Sequence, residues 1–290
     1  MERKHALAGI KVIDFGWVVT APTFARQLGL HGATVIRVES HRKPEPLRTG
    51  GVPVKPGVPR IDANAYFPAV NPNEYGISLD LSHPKGKELA RKLTKWADIV
   101  VEGFQPGVMN DLELDYERVK TINPRIIYIS TSQLGQTGPH TQFAGTGLQA
   151  ASLAGFNHLV GWPDRTPTGV FGPYTDFVTP RYMIVCALGT LLYREKTGRG
   201  MYMDVSQMEA SVGFLAPSLL DYTVNGRILN PKGNEHPYAA PHGAFPCRGA
   251  DRWVAIAVSS DAEWRALCNA VSYTHLRAHE TRHDLVCRLL

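Results

Sequence analysis

The chain has 290 residues, 43% of them hydrophobic and 20% charged, with 27 glycines and 21 prolines. It is too apolar for a disordered protein, lacks the glycine period of collagen, and has no apolar run long enough to cross a bilayer. The net charge of +5 comes from scattered Lys and Arg rather than a clustered basic stripe, which argues against a nucleic-acid partner.

The first residues lead into no signal-peptide core, and Cys186, Cys247, Cys268 and Cys287 form no CxxC pair. A reduced, cytoplasmic protein is the expectation. Lys11–Phe15 reads as a buried strand, Thr23–Leu30 as a helix and Thr34–Glu39 as a second strand, together one βαβ unit of a parallel sheet. Residues 40–65 read as a long loop, rich in Pro, Gly and Arg. Ile77–Leu81 is a strand, and Ser82 or His83 caps a helix that starts at Pro84 and runs to about Trp96. Asp98–Glu102, Tyr116–Ile122 and Arg125–Ser130 continue the alternation as strand, helix and strand. The fold class expected is α/β, an open parallel sheet with ligands at the carboxyl ends of its strands.

Further on, Thr179-Pro180 looks like the N-cap and first turn of a helix to about Lys196 that Gly198 stops. Met201–Val205 is a strand, Gln207 to about Tyr222 is helical, and Trp253–Val258 opens a new strand after a Pro/Gly/His-rich stretch. The domains expected are a large domain over 1–200, a linker helix over 201–225 and the start of a smaller domain over 226–270.

Four sequence features invite chemical readings. His279-Glu280-Thr281-Arg282-His283 is a literal HExxH, whose histidines would face one way on a helix and bind zinc with Glu280 as general base. Only seven residues follow His283, and the segment has no amphipathic core face. Moreover, Val271–Thr281 and Leu285–Leu290 resemble an in-frame translation of a sequencing adapter, so 271–290 reads as a non-native tail and no metal site is expected. Gly145-Thr-Gly147-Leu-Gln-Ala150 fits GxGxxA but does not directly follow a strand, so close helix packing accounts for it better. Gly135-Gln-Thr-Gly-Pro139 follows a strand and is either a ligand loop or an ordinary turn. Asp176, just ahead of Pro180, either caps the following helix or is a nucleophilic carboxylate kept ionised by the helix N-terminus.

In order along residues 7 to about 270, Leu7–Phe15, Gly32–Glu39, Ile77–Leu81, Ala97–Glu102, Phe104-Gln-Pro-Gly107, Asn123-Pro-Arg125, Gly135–Pro139, Arg194–Gly198 and Met203–Ser206 resemble the family III acyl-CoA transferases, the formyl-CoA/oxalate and carnitine type. The resemblance implies a Rossmann-like large domain and an interlocked homodimer when the chain is full length. It places the nucleophile at Asp176, acting through an aspartyl anhydride and an aspartyl-CoA thioester, with Val18, Arg48 and Phe104 as CoA-binding positions. A CoA thioester is then a substrate, no cofactor is permanently bound, and the partners are an acyl-CoA and a carboxylic acid, with no membrane. Gly135 and the Gly233–Gly243 segment are candidate oxyanion donors. Family members run well past 270 residues, which implies a chain cut within its second domain and leaves open whether it is active as it stands.

Departures qualify the likeness. A basic turn position of the family is Glu74 here, and its Val-Glu-Asn-Phe is Val101-Glu-Gly-Phe104. The glycine-rich loop of the oxalate enzymes is replaced by Asn234–Pro241, which argues against oxalate as acceptor. A racemase branch of the same fold needs a histidine where this chain has Gly145-Thr146-Gly147, so transfer is favoured over racemisation.

Overall fold

A computed structural model describes residues 5–50, 61 and 63–271; the HExxH run and nearly all of the adapter-like tail lie outside them. Strands β1 (Lys11–Asp14), β2 (Thr34–Glu39), β3 (Tyr75–Ser78), β4 (Ile99–Glu102), β5 (Ile127–Ser132) and β6 (Met201–Ser206) form one sheet in the order β3-β2-β1-β4-β5-β6. Every neighbouring pair is parallel. Helices cover both faces, so the inner strands are apolar on both sides. Val12, Ile99, Val101, Ile127 and Ile129 pack on one face with Phe24, Leu28, Met183 and Ala187. Ile13, Val100 and Tyr128 point the other way, toward Ala90, Leu114 and Val119. From β1 the chain moves outward to β2 and β3, then returns to lay β4 on the other side of β1. The loops leaving β1 and β4 therefore diverge and open a crevice at the carboxyl edge.

The first face is covered by α1 (Thr20–Leu30) and α9 (Tyr174–Thr197), and α4 (Pro84–Trp96) and α6 (Tyr116–Ile122) pack on the second. Short helices α2 (Pro46–Thr49), α3 (Tyr66–Val70) and α5 (Val108–Asp111) sit in connections, and α7 (Gly147–Ala154) and α8 (Phe156–Leu159) precede α9. His83 caps α4 by accepting the Lys85 N–H at 3.2 Å, with Pro84 in the first helical position, as the sequence pattern predicts.

Two helix starts differ from expectation. Helix α1 begins at Thr20 rather than Thr23, because Pro22 lies within the first turn, where its missing N–H has no carbonyl to serve. Helix α9 begins at Tyr174 rather than near Pro180, which lies inside the helix. Asp176 is thus not ahead of the helix but in its first turn, and Pro180 has no N–H to donate to the Asp176 carbonyl one turn back. Strand β3 also lies earlier than the Ile77–Leu81 run. All four of its residues are exposed, so no buried face marks its register.

The chain divides into two compact units, 1–155 with 170–220, and 156–169 with 221–290. The first holds the six-stranded sheet and α10 (Gln207–Val212). The break falls within α11 (Ala216–Asn225). The second holds an antiparallel hairpin, β7 (His242–Pro246) with β8 (Trp253–Ala257), and α12 (Asp261–Ala270). Residues 156–169, which sequence alone places in the large domain, belong with this second unit. The Gly233 N–H donates to the Gly161 carbonyl at 2.8 Å, and His158 meets Asn230 at 3.0 Å.

Candidate active site

At the carboxyl edge of the sheet, the first unit encloses a cavity of about 700 Å³. The β1–α1 loop contributes Trp17, Val18 and Val19, and the loop after β4 contributes Gly103–Pro106. The segment after β2 adds Ser40, Arg42 and Lys43, and Asp176 and Gln207 line the same space. Three of the sequence-predicted residues, Asp176, Val18 and Phe104, are thereby brought to one cavity.

Asp176 is 8% exposed. Thr20, the first residue of α1, donates its hydroxyl to Asp176 Oδ1 at 3.1 Å, and Gln207 Nε2 donates to Thr20 Oγ1 at 2.8 Å. The Thr175 hydroxyl lies within reach of two acceptors, the Gly147 carbonyl at 3.1 Å and Gln207 Oε1 at 3.3 Å, and shares its one proton between them, so the starts of α7, α9 and α10 are tied together. Burial pushes the Asp176 carboxyl up to about 6, while hydrogen bonds from Thr20 and Gln207 hold it down. Burial and then the Asp176 charge also push the Tyr66 hydroxyl up, which sets α3 near the carboxylate.

Space for the carboxylate comes from glycine. A Cβ at Gly147 would lie 2.7 Å from Asp176 Oδ1 and 2.9 Å from Pro173 Cβ. The close packing expected of the Gly145–Ala150 run is present, and the group it admits is the Asp176 side chain. Thr146 caps α7 in a reciprocal capping box with Gln149 and so fixes the position of Gly147.

Val18 holds a left-handed backbone, φ 62°, which is an outlier for a β-branched residue. Its N–H donates to Glu45 Oε1 at 2.8 Å. Phe104 packs edge-on to Trp17 with ring centroids 5.8 Å apart, and Lys43 Nζ stands 4.9 Å above the Trp17 ring. Arg48 does not line the cavity. Its guanidinium grips both oxygens of Glu39 at 2.7 and 3.0 Å and stacks on Phe67 at 3.6 Å. Among the described residues the cations that line the cavity are Arg42, paired with Asp80 at 3.0 Å, and Lys43, which sequence reasoning missed although both follow the carboxyl end of a strand. Thr20 and Gln207 were missed as well.

Glu74, in the family's basic position, is not at the cavity. Burial, with the Asp14 charge second, pushes its carboxyl up to about 9. Gly135, expected as an oxyanion donor, is not among the described residues lining the cavity; a Cβ there would lie 3.4 Å from Asp204 Oδ2. The Gly233–Gly243 segment belongs to the second unit. Among the described residues no cluster of metal-ligating side chains occurs, and no helix is long and apolar enough to cross a membrane.

Residues 7–288 match the sequence pattern of CoA-transferase family III. The chain is 32% identical over 268 residues to the succinate–glutarate CoA-transferase of Agrobacterium fabrum, covering 92% of this chain and 66% of that protein. It is also 32% identical over 274 residues to the acetyl-CoA:oxalate CoA-transferase of Acetobacter aceti, covering 94% and 68%. Among solved structures, a CAIB/BAIF family protein from Brucella suis superposes with a TM-score of 0.90 at 31% identity, covering 99% of this chain and 75% of that one. The chain spans about two thirds of the length of the curated relatives it matches. With a parallel α/β sheet and family-wide similarity over nearly its whole length, the chain belongs to CoA-transferase family III.

Proposed function

We propose that this chain carries the nucleophile and CoA-binding cavity of an enzyme that moves CoA from an acyl-CoA to a carboxylic acid. The observation that carries the reading is Asp176, a buried carboxyl with no cationic partner among the described residues, bordering a cavity large enough for a cofactor-sized thioester. Asp176 attacks the thioester carbonyl carbon; the C–S bond breaks and CoA leaves as thiolate from a mixed anhydride. The thiolate attacks the aspartyl carbonyl, expels the donor carboxylate and forms an aspartyl-CoA thioester. An acceptor carboxylate attacks that thioester and releases thiolate again. The thiolate then takes the acceptor's acyl group from the second anhydride and restores the Asp176 carboxylate. Each bond broken is matched by one formed, and no net proton is needed.

Val18 and Phe104 serve as CoA contacts in this reading. Lys43 is assigned to phosphate, because Arg48 is committed to Glu39 and Arg42 pairs with Asp80 Oδ2 at 3.0 Å. The strand order supports a Rossmann-like large domain. No histidine is among the described residues lining the cavity, which supports transfer over racemisation. A homodimer of the full-length protein and a cytoplasmic setting remain part of the proposal, as does the reading of 271–290 as adapter-derived; the source nucleotide sequence across codon 270 tests the last point.

The chemistry is tested by incubating the protein with acyl-CoA and hydroxylamine, which intercepts activated acyl-aspartate as a hydroxamate. Wild type should yield a hydroxamate at residue 176 and Asp176→Ala none. Normal transfer by Asp176→Ala would overturn the assignment.

A further inference from the structure

Two turns frame the cavity, and both are held from behind in the same way. Val18 sits in a left-handed conformation that is strained for a β-branched residue, so something must hold it there. Its N–H donates to Glu45 Oε1 at 2.8 Å, while Glu45 Oε2 accepts the Leu47 N–H at 2.9 Å and caps α2. On the other side of the crevice the Phe104 N–H donates to Glu102 Oε2 at 2.8 Å. Glu45 and Glu102 are each only 2% exposed, and neither lines the cavity. The transfer chemistry uses neither carboxyl.

We propose that Glu45 and Glu102 are positioning residues for CoA, each presenting one wall of the cavity by gripping a main-chain N–H. The inference rests on the CoA-binding reading above. An acidic side chain is suited to the task because a carboxylate accepts an N–H more strongly than a neutral carbonyl does, and has a second oxygen to anchor it. Glu45 spends that oxygen on Leu47.

The grip depends on charge. Burial raises both carboxyls, Glu102 to about 7. Glu45 faces the N–H groups of Val18 and Leu47, the Arg37 guanidinium and the Glu39 carboxylate. Glu102 faces the Ser130 hydroxyl, the Phe104 N–H, the Asp204 carboxylate, and the Tyr128 and Tyr202 hydroxyls. As pH rises through 7, Glu102 ionises and its hold on Phe104 strengthens.

The test follows backbone amide resonances of the isotope-labelled chain against pH, with CoA itself as the binding probe in calorimetry. In wild type, the Phe104 amide proton should shift with a midpoint near 7, and the Val18 amide should follow Glu45. Glu102→Gln should erase the Phe104 step alone, and Glu45→Gln the Val18 step alone. Each substitution should weaken CoA binding by about tenfold, the worth of one hydrogen bond to a charged group. Glu102→Gln should do so without lowering thermal stability at pH 8, because it removes a poorly solvated charge. A merely structural role would lower the melting temperature and leave CoA affinity unchanged in the folded fraction. Amides that do not titrate in wild type, or variants that bind CoA normally, overturn the inference. A wild-type chain whose amides titrate as described but which does not bind CoA would sink the functional reading and, with it, the role assigned to these two residues.

Discussion

Asp176 must be an anion to attack a thioester, yet it sits where burial opposes ionisation. Its folded value of about 6 lies above the unfolded value of 3.8. Below pH 3.8 both states are protonated and nothing is lost. As pH climbs toward 6 the unfolded chain ionises first, so stability falls and then levels off, by about 3 kcal/mol in all. Asp176→Asn keeps the shape and the Thr20 contact but cannot ionise. It should exceed wild type by about 2–3 kcal/mol in denaturant unfolding at pH 8 and match it near pH 4; equal stability at both would refute the burial argument. Thr20→Val removes the hydroxyl that steadies the anion. The acid limb of hydroxamate formation should then move up by about one pH unit, as loss of one charged hydrogen bond requires. Gly147→Ala would put a methyl group 2.7 Å from Asp176 Oδ1. It should cost about 1–3 kcal/mol in stability by overpacking and reduce hydroxamate yield more than tenfold. Close packing at Gly147 was legible in the sequence, but its partner was not, and neither were Thr20 and Gln207. Thr20 and Gln207 lie 187 residues apart, and Thr20 is 156 residues from Asp176. No local period marks such contacts, and Asp176 drew notice by its place near a helix start, where a cap and a nucleophile share one pattern and only the family resemblance favours the nucleophile.

At the scale of elements, the sequence was readable wherever burial imposes a period. Strand β2 and helices α4 and α6 fall where the Val/Ile run, the Pro84 start and the amphipathic spacing put them. Boundaries failed around prolines: Thr23, just after Pro22, and Pro180 were read as helix starts. Pro84 does open its helix, but Pro22 lies two residues into α1 and Pro180 lies deeper still in α9. The difference matters chemically, because the misread turns carry Thr20 and Asp176. Helix α7 carries the third piece of the site, and its start is set by the Thr146–Gln149 capping box. Thr146→Ala should cost about 1 kcal/mol in stability through loss of the cap. It should also lower hydroxamate yield by releasing Gly147, while Thr146→Ser should preserve both. A Thr146→Ala protein with normal yield would show that α7 needs no cap to hold the carboxylate's space.

At the scale of the molecule, all six strands run the same way, so every strand-to-helix loop opens on the cavity edge and every helix-to-strand loop on the opposite edge. That polarity followed from the βαβ alternation alone. The strand order did not, because parallel strands of similar composition carry no mark of their neighbours, and the chain's return from β3 to the far side of β1 is a tertiary choice. The polarity makes a demand on ligand binding that no single residue makes. CoA bound as proposed touches only one edge of the sheet. Hydrogen exchange with saturating CoA should therefore slow amides in 17–20, 40–43, 79–82, 103–106, 131–133 and 143–146, segments that border the cavity. The opposite-edge turns at Gly32–Ala33, Ala97–Asp98 and Pro124–Arg125 should exchange as before. At a hundredfold excess over its dissociation constant, CoA should add about 2.7 kcal/mol of stability. For a chain of this size that raises the melting temperature by roughly 4 °C. Protection spread equally over both edges would mean that the ligand tightens the whole sheet rather than filling the crevice between β1 and β4. The assignment of Val18 and Phe104 as its walls would then fail, even with Asp176 intact as the nucleophile.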